Sequence, residues 1–205
     1  MNETYKVQVQ DLVDDLKAVF THAGLGGEAG EYKLLTQSFL YKFLNDKFLY
    51  QAKVLDESNT YENLLTLSED DYDWLLEDIG TSTAWLKPDQ LIETLHRQQN
   101  EATFYESFEN TLNQIAIDNN DIFSVHTDGD TAIRLFDERL ITDTISDSSK
   151  RNEVAKAIIN LLARVKFDET IFSQGFDFFS TLFEYMIKDY NKDGGGKYAE
   201  YYTPH

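Results

Sequence analysis

The stretch "EYKLLTQSFLYKFLNDKFLYQAKVL", residues 31–55, decides the fold. Leu35, Phe39, Leu40, Phe43, Leu44 and Phe48 recur at steps of three, four and five. That is the apolar stripe of an α-helix, not the alternation of a strand. The predicted helix runs from Glu31 to about Leu55.

The neighbouring segments repeat the pattern. Upstream, Leu12, Val13, Leu16, Val19 and Phe20 mark a helix that "AGLGGEAG" (23–30) ends. Downstream, Ser68 with Asp71 three residues on forms a capping box before "YDWLLEDI" (72–79). "KPDQLIETLHRQQ" (87–99) carries a proline at a first helical position. Further helices are expected from Ala102 to Ile117 and, briefly, from Thr131 to Phe136. In "RNEVAKAIINLLARV" (151–165), Val154, Ile158, Leu161, Leu162 and Val165 fall together. Phe176, Phe179, Leu182, Phe183, Met186 and Ile187 predict a last helix reaching Tyr190. Only Pro88 and Pro204 occur among 205 residues, so the turns that a strand-rich chain needs are scarce. The expected fold class is mainly α, a multi-helix domain.

Composition bounds the function. Hydrophobic residues make up 41% and aromatics 14%, enough for a packed core. No apolar run is long enough to span a bilayer, and "MNETYKVQVQDLVDDLK" lacks the features of a signal peptide. There is no cysteine, hence no disulfide framework and no thiolate metal site. These features predict a soluble, cytoplasmic protein. With 37 acidic and 18 basic residues the net charge is −19, which repels the phosphate backbone of DNA.

Several motifs carry possible chemistry. "DYNKDGGGKYAE" places Asp189, Asn191, Asp193, Gly194 and Glu200 at the spacing of a calcium-binding EF-hand loop. Gly196 stands where that loop wants an aliphatic residue. The following "YAEYYTPH" is aromatic, non-periodic and broken by proline, where an exit helix should begin. Gly24-x-Gly26-x-x-Ala29 is a loose dinucleotide fingerprint, but a helical pattern precedes it, and a helix–helix turn explains it better. His22, His96, His126 and His205 show no metal-ligand spacing, so no metal site is assigned to them. No Gly-x-Ser-x-Gly elbow occurs. "DNNDIFSVHTDGDT" (118–131) reads as a solvated acidic loop. One basic stretch, Lys150, Arg151, Lys156, Arg164 and Lys166, could meet DNA phosphates.

The two ends of the chain together resemble a known family. "EYKLLTQSFLYKFLNDKF" (31–48) resembles the first block of the modification subunit of type I restriction–modification systems. "FDFFSTLFEYMIKDYNKDGGGKYAEYYTPH" (176–205) resembles that family's approach to its methyltransferase domain. Asp177, Phe183, Glu184 and Tyr185 match the first part of that block, and Ala199 to His205 the second. Order and spacing agree from about residue 10 onward, except across roughly 56–130. Ser180 and Ala199 stand where the family has glycine, and His205 where it has arginine.

The resemblance implies an N6-adenine DNA methyltransferase. Such an enzyme moves a methyl group from S-adenosylmethionine to an adenine flipped out of the duplex. It implies that Glu200, Tyr201, Tyr202, Thr203, Pro204 and His205 contribute to the S-adenosylmethionine pocket. Aromatics there would pack on the cofactor, and the threonine hydroxyl would bond its polar end. The family's catalytic Asn-Pro-Pro-aromatic motif needs adjacent prolines, and this sequence has none. The expectation is therefore a helical N-terminal domain over 1–190. Residues 191–205 would form a linker and the start of an α/β Rossmann-like methyltransferase domain that is cut away, leaving a chain inactive by itself. Implied partners are the specificity subunit, the restriction subunit, a second modification subunit and, through the complex, double-stranded DNA. The alternative is a self-contained helical interaction protein with a calcium loop at 189–200.

Overall fold

The computed structural model describes residues 3–123, 135–167 and 171–172. Within them the protein is mainly helical, with no strand. The helices are α1 (Glu3–His22), α2 (Ala29–Leu55), α3 (Tyr61–Leu64), α4 (Glu69–Ile79), α5 (Ile92–Gln98), α6 (Phe104–Asp118), α7 (Asn120–Phe123), α8 (Leu140–Thr144) and α9 (Ser148–Arg164). None among the described residues is long and apolar enough to cross a membrane.

Two helices organise the rest. α9 packs against α1, α2, α5, α6 and α8, and α2 against α1, α4, α8 and α9. One core joins Leu16 and Phe20 of α1, Phe39 and Phe48 of α2, Phe108 and Leu112 of α6, and Ile158 and Leu162 of α9. The α1–α2 turn is the "AGLGGEAG" segment. Gly24 there has φ 95°, a conformation that favours glycine. Gly30 serves a different need. A Cβ at that position would lie 2.6 Å from Thr144 Cγ2, so glycine lets α2 and α8 approach closely. With a helix before it and no strand among the described residues, this segment is a turn and cannot frame a dinucleotide site.

Local chemistry sets several boundaries. Ser68 Oγ accepts the Asp71 N–H at 3.2 Å and starts α4, as its capping box predicts. Asp147 accepts the Ser149 N–H at 3.0 Å at the head of α9. The short α8 borrows both ends from other elements. Glu109 of α6 accepts from the Thr142 N–H and Oγ1 at its start. Arg151 donates to the carbonyls of Ile145 (2.9 Å) and Thr142 (3.3 Å) at its end.

The expected helix at 87–99 is two pieces, a 3₁₀ turn over Pro88–Gln90 and then α5. Leu91 between them is extended. Tertiary bonds explain the break: the Gln90 carbonyl accepts from Tyr41 Oη at 2.6 Å, and the Ile92 N–H is taken by Asn45 Oδ1 at 2.9 Å. The expected last helix, 176–190, lies outside the described residues, as does most of the one expected at Thr131–Phe136, whose Leu135 and Phe136 lie in a bend.

Between α4 and α5 the chain runs as a buried strap. Thr83, Ala84, Leu86, Gln90 and Leu91 are all buried. Asn119 grips it from the end of α6, accepting the Trp85 N–H at 2.6 Å and donating to the Trp85 carbonyl at 2.8 Å. Asn119→Ala would leave both backbone groups of Trp85 without a protein partner. The expected loss is about 2–3 kcal/mol of stability, read as a lower urea midpoint with an unchanged slope.

Candidate functional site

Among the described residues, a set of charged and polar side chains lines a groove of about 1020 Å³. α2 forms one wall, with Tyr50, Lys53 and Val54, and Tyr61 and Glu93 face them from α3 and α5. Ala163, Lys166 and Phe167 close one end.

Its floor is a buried polar cluster on α2. Lys42, Asn45 and Asp46 follow at i, i+3 and i+4, which puts them on one face of α2. All three are buried. Lys42 Nζ donates to Asp46 Oδ1 at 3.0 Å and lies 2.9 Å from Oδ2. Asn45 Nδ2 donates to the same Oδ1 at 2.8 Å, and the Phe167 N–H donates to Oδ2 at 2.9 Å. The ammonium also sits 5.6 Å from the centre of the Phe167 ring. Burial lowers the Lys42 pKa below its ordinary value, and Asp46 opposes that shift.

This cluster ties three parts of the chain together: α2, the start of α5 through Asn45, and the segment after α9 through Phe167. Its chemistry is that of a satisfied anchor. The amine is committed to its carboxylate, and both carboxylate oxygens are shared with further donors. Phe172 extends the tie, its ring 5.4 Å from that of Tyr50 and 5.7 Å from that of Phe43. On the far rim Arg97 bonds Glu62 at 3.1 Å and Glu93 at 3.2 Å while lying 4.8 Å over Tyr61, which joins α3 to α5. Hydrophobic periodicity passes over the cluster, because it scores Lys42, Asn45 and Asp46 as solvent-facing. Their common face, at i, i+3 and i+4 between the apolar Phe39 and Phe48, was the available signal.

The five cations singled out in the sequence do not share a face. Arg151 points inward to the end of α8, its guanidinium 6.0 Å from the Tyr105 ring. Arg164 pairs with Asp15 of α1. Lys150 reaches toward the Ala23 carbonyl at 3.5 Å. Lys156 is half-buried on the outer side of α9, and Lys166 is exposed beside the groove.

The proposed cofactor residues Glu200, Tyr201, Tyr202, Thr203, Pro204 and His205 lie outside the described residues, and so does the calcium pattern Asp189–Glu200. Among the described residues no group of three or more His, Asp or Glu is placed to hold a metal ion. No protein-family model, curated protein or solved structure matches the chain.

The anchor generates a stability test. Asp46→Ala would strand a buried ammonium and free the Phe167 N–H, at an expected cost of about 3–5 kcal/mol in urea unfolding. The double change Lys42→Met with Asp46→Leu removes both charges and is expected to recover the part of that loss due to the stranded ammonium, while the Phe167 N–H and the Asn45 amide stay without their acceptor.

Proposed function

We propose that this chain is the N-terminal helical domain of a modification subunit of a type I restriction–modification system, an adenine-specific DNA methyltransferase. The observation that carries the reading is the closing motif "KYAEYYTPH" (197–205), with "FEY" at 183–185 before it at the family's spacing. The mainly helical fold of the described residues is compatible with that role. The reading rests on these residues and on no matched relative.

In this reading the helical domain serves assembly. It packs on the catalytic domain and offers surfaces to the specificity subunit and a second modification subunit. Glu200 to His205 would supply one side of the S-adenosylmethionine pocket, with Tyr201 and Tyr202 packing on the cofactor and Thr203 bonding its polar end. The adenine-binding Asn-Pro-Pro-aromatic motif would come from the methyltransferase domain. The excess of acidic residues here leaves DNA attraction mainly to the other parts of the complex. Of the cations on and after α9, Lys156 and Lys166 have side-chain ammonium groups with no hydrogen bond or ion pair among the described residues, so they are the ones to meet phosphate.

The test uses labelled S-adenosylmethionine and unmethylated duplex DNA. The 205-residue chain alone is expected to transfer no methyl group, and turnover by it would defeat the reading. Joined to a catalytic domain bearing Asn-Pro-Pro-aromatic, and assembled with a specificity subunit, it should methylate adenine. In that assembly Tyr202→Ala is expected to raise the dissociation constant for S-adenosylmethionine about tenfold. Unchanged affinity would make 200–205 a plain connector.

A further inference from the structure

Trp74 is 67% exposed. It stands on the side of α4 opposite Tyr72, Leu75, Leu76 and Ile79, which are buried. The other tryptophan behaves as the residue usually does: Trp85 is half-buried and its indole N–H donates to the Gly80 carbonyl at 2.6 Å. Trp74 has no such partner among the described residues.

Its surroundings are specific. On a helix the nearest neighbours of a residue lie three and four positions away on either side. For Trp74 these are Asp70, Asp71, Glu77 and Asp78, all exposed and all acidic. None pairs with a cation among the described residues. Asp71 accepts from Ser68 Oγ at 2.6 Å, and its place in the first turn suits the helix dipole. Glu77 and Asp78 sit in the last turn, where the dipole disfavours carboxylates and where α4 has no basic residue. No side-chain hydrogen bond or ion pair among the described residues accounts for this pair or for the exposed indole.

We infer that this face of α4 docks an arginine-bearing basic segment of a partner protein, with a guanidinium stacked on Trp74 and bonded to the flanking carboxylates. An indole is the best aromatic acceptor for a cation. A guanidinium both stacks on it and meets carboxylates through its fork, which an ammonium does less well. The same four charges repel nucleic acid, and a second copy of a chain at −19 is repelled as a whole. This inference does not depend on the methyltransferase reading.

The test is fluorescence anisotropy of a labelled peptide with four arginines spaced among alanine and glutamine, titrated with the intact chain at about physiological salt. Trp74→Ala leaves the net charge unchanged and removes an exposed side chain, so the fold is expected to persist by circular dichroism. It should raise the dissociation constant about tenfold or more. Asp70→Asn with Asp78→Asn should weaken binding similarly. Asp121→Asn with Glu153→Gln removes the same charge elsewhere and should change it less than about twofold, and a lysine version of the peptide should bind more weakly. Equal binding by Trp74→Ala would overturn the proposal. So would equal weakening by the two charge pairs, which marks diffuse attraction. Self-association in sedimentation that Trp74→Ala abolishes would assign the face to a second copy, and Trp74-dependent binding of duplex DNA to nucleic acid; either overturns it.

Discussion

A buried extended segment in a helical protein has no neighbouring strand to satisfy its backbone, and every unmatched N–H or C=O costs stability. Residues 83–92 meet that constraint with side chains. Asn119 takes both groups of Trp85, and Tyr72 Oη donates to the Leu86 carbonyl at 2.6 Å. Gln90 Oε1 accepts the Lys87 N–H at 2.8 Å, and its amide donates to Asp118 at 2.9 Å. Tyr41 and Asn45 then take the Gln90 carbonyl and the Ile92 N–H. The donors and acceptors come from α2, α4, α6 and the strap itself. Helices far apart in sequence are thus held in register by one segment that none of them could leave unsatisfied. Burial raises the pKa of both Tyr41 and Tyr72 well above the ordinary phenol value, so they remain donors at neutral and mildly alkaline pH.

The polar groups of α2 play the matching part on the other side. Tyr41, Lys42, Asn45 and Asp46 are buried together with Phe39, Leu44 and Phe48. A purely apolar helix could be buried in several rotations, since dispersion contacts are not directional. Asn45 and Asp46 bond named backbone groups at Ile92 and Phe167, and this fixes one rotation. The paired charge need not add net stability to do so.

The helices themselves were legible wherever the apolar period was strong. α2 was expected over 31–55 and spans Ala29–Leu55; α6 was expected over 102–117 and spans Phe104–Asp118. Capping chemistry placed the start of α4. The width of the buried face of α2 was not legible. Leu40 and Phe43 of the expected stripe are half-buried, while Lys42, Asn45 and Asp46 are inside, because long-range partners decide the burial of polar residues. The break at Leu91 escaped for the same reason: local propensity favours a helix after Pro88, and Tyr41 and Asn45 override it. The basic stretch misled by proximity in sequence. Residues 150, 151, 156 and 164 wind around α9, so their charges point to different neighbours. Trp74 was hidden inside an ordinary amphipathic motif, "YDWLLEDI", and only its exposure sets it apart.

Charge is distributed in a way that constrains any role. Arg151 and Arg164 reach α8 and α1, and Lys42 is committed to Asp46, so these three cations are taken up by partners within the fold. The carboxylates of α4 face outward without cationic partners among the described residues. A domain built this way offers proteins an acidic, aromatic surface and offers nucleic acid mainly repulsion. If the domain belongs to an enzyme that acts on DNA, it must be brought to the duplex by more basic companions. The acidic face of α4 is then suited to receiving one of them, because the exposed Trp74 adds to its carboxylates a surface on which a guanidinium can stack.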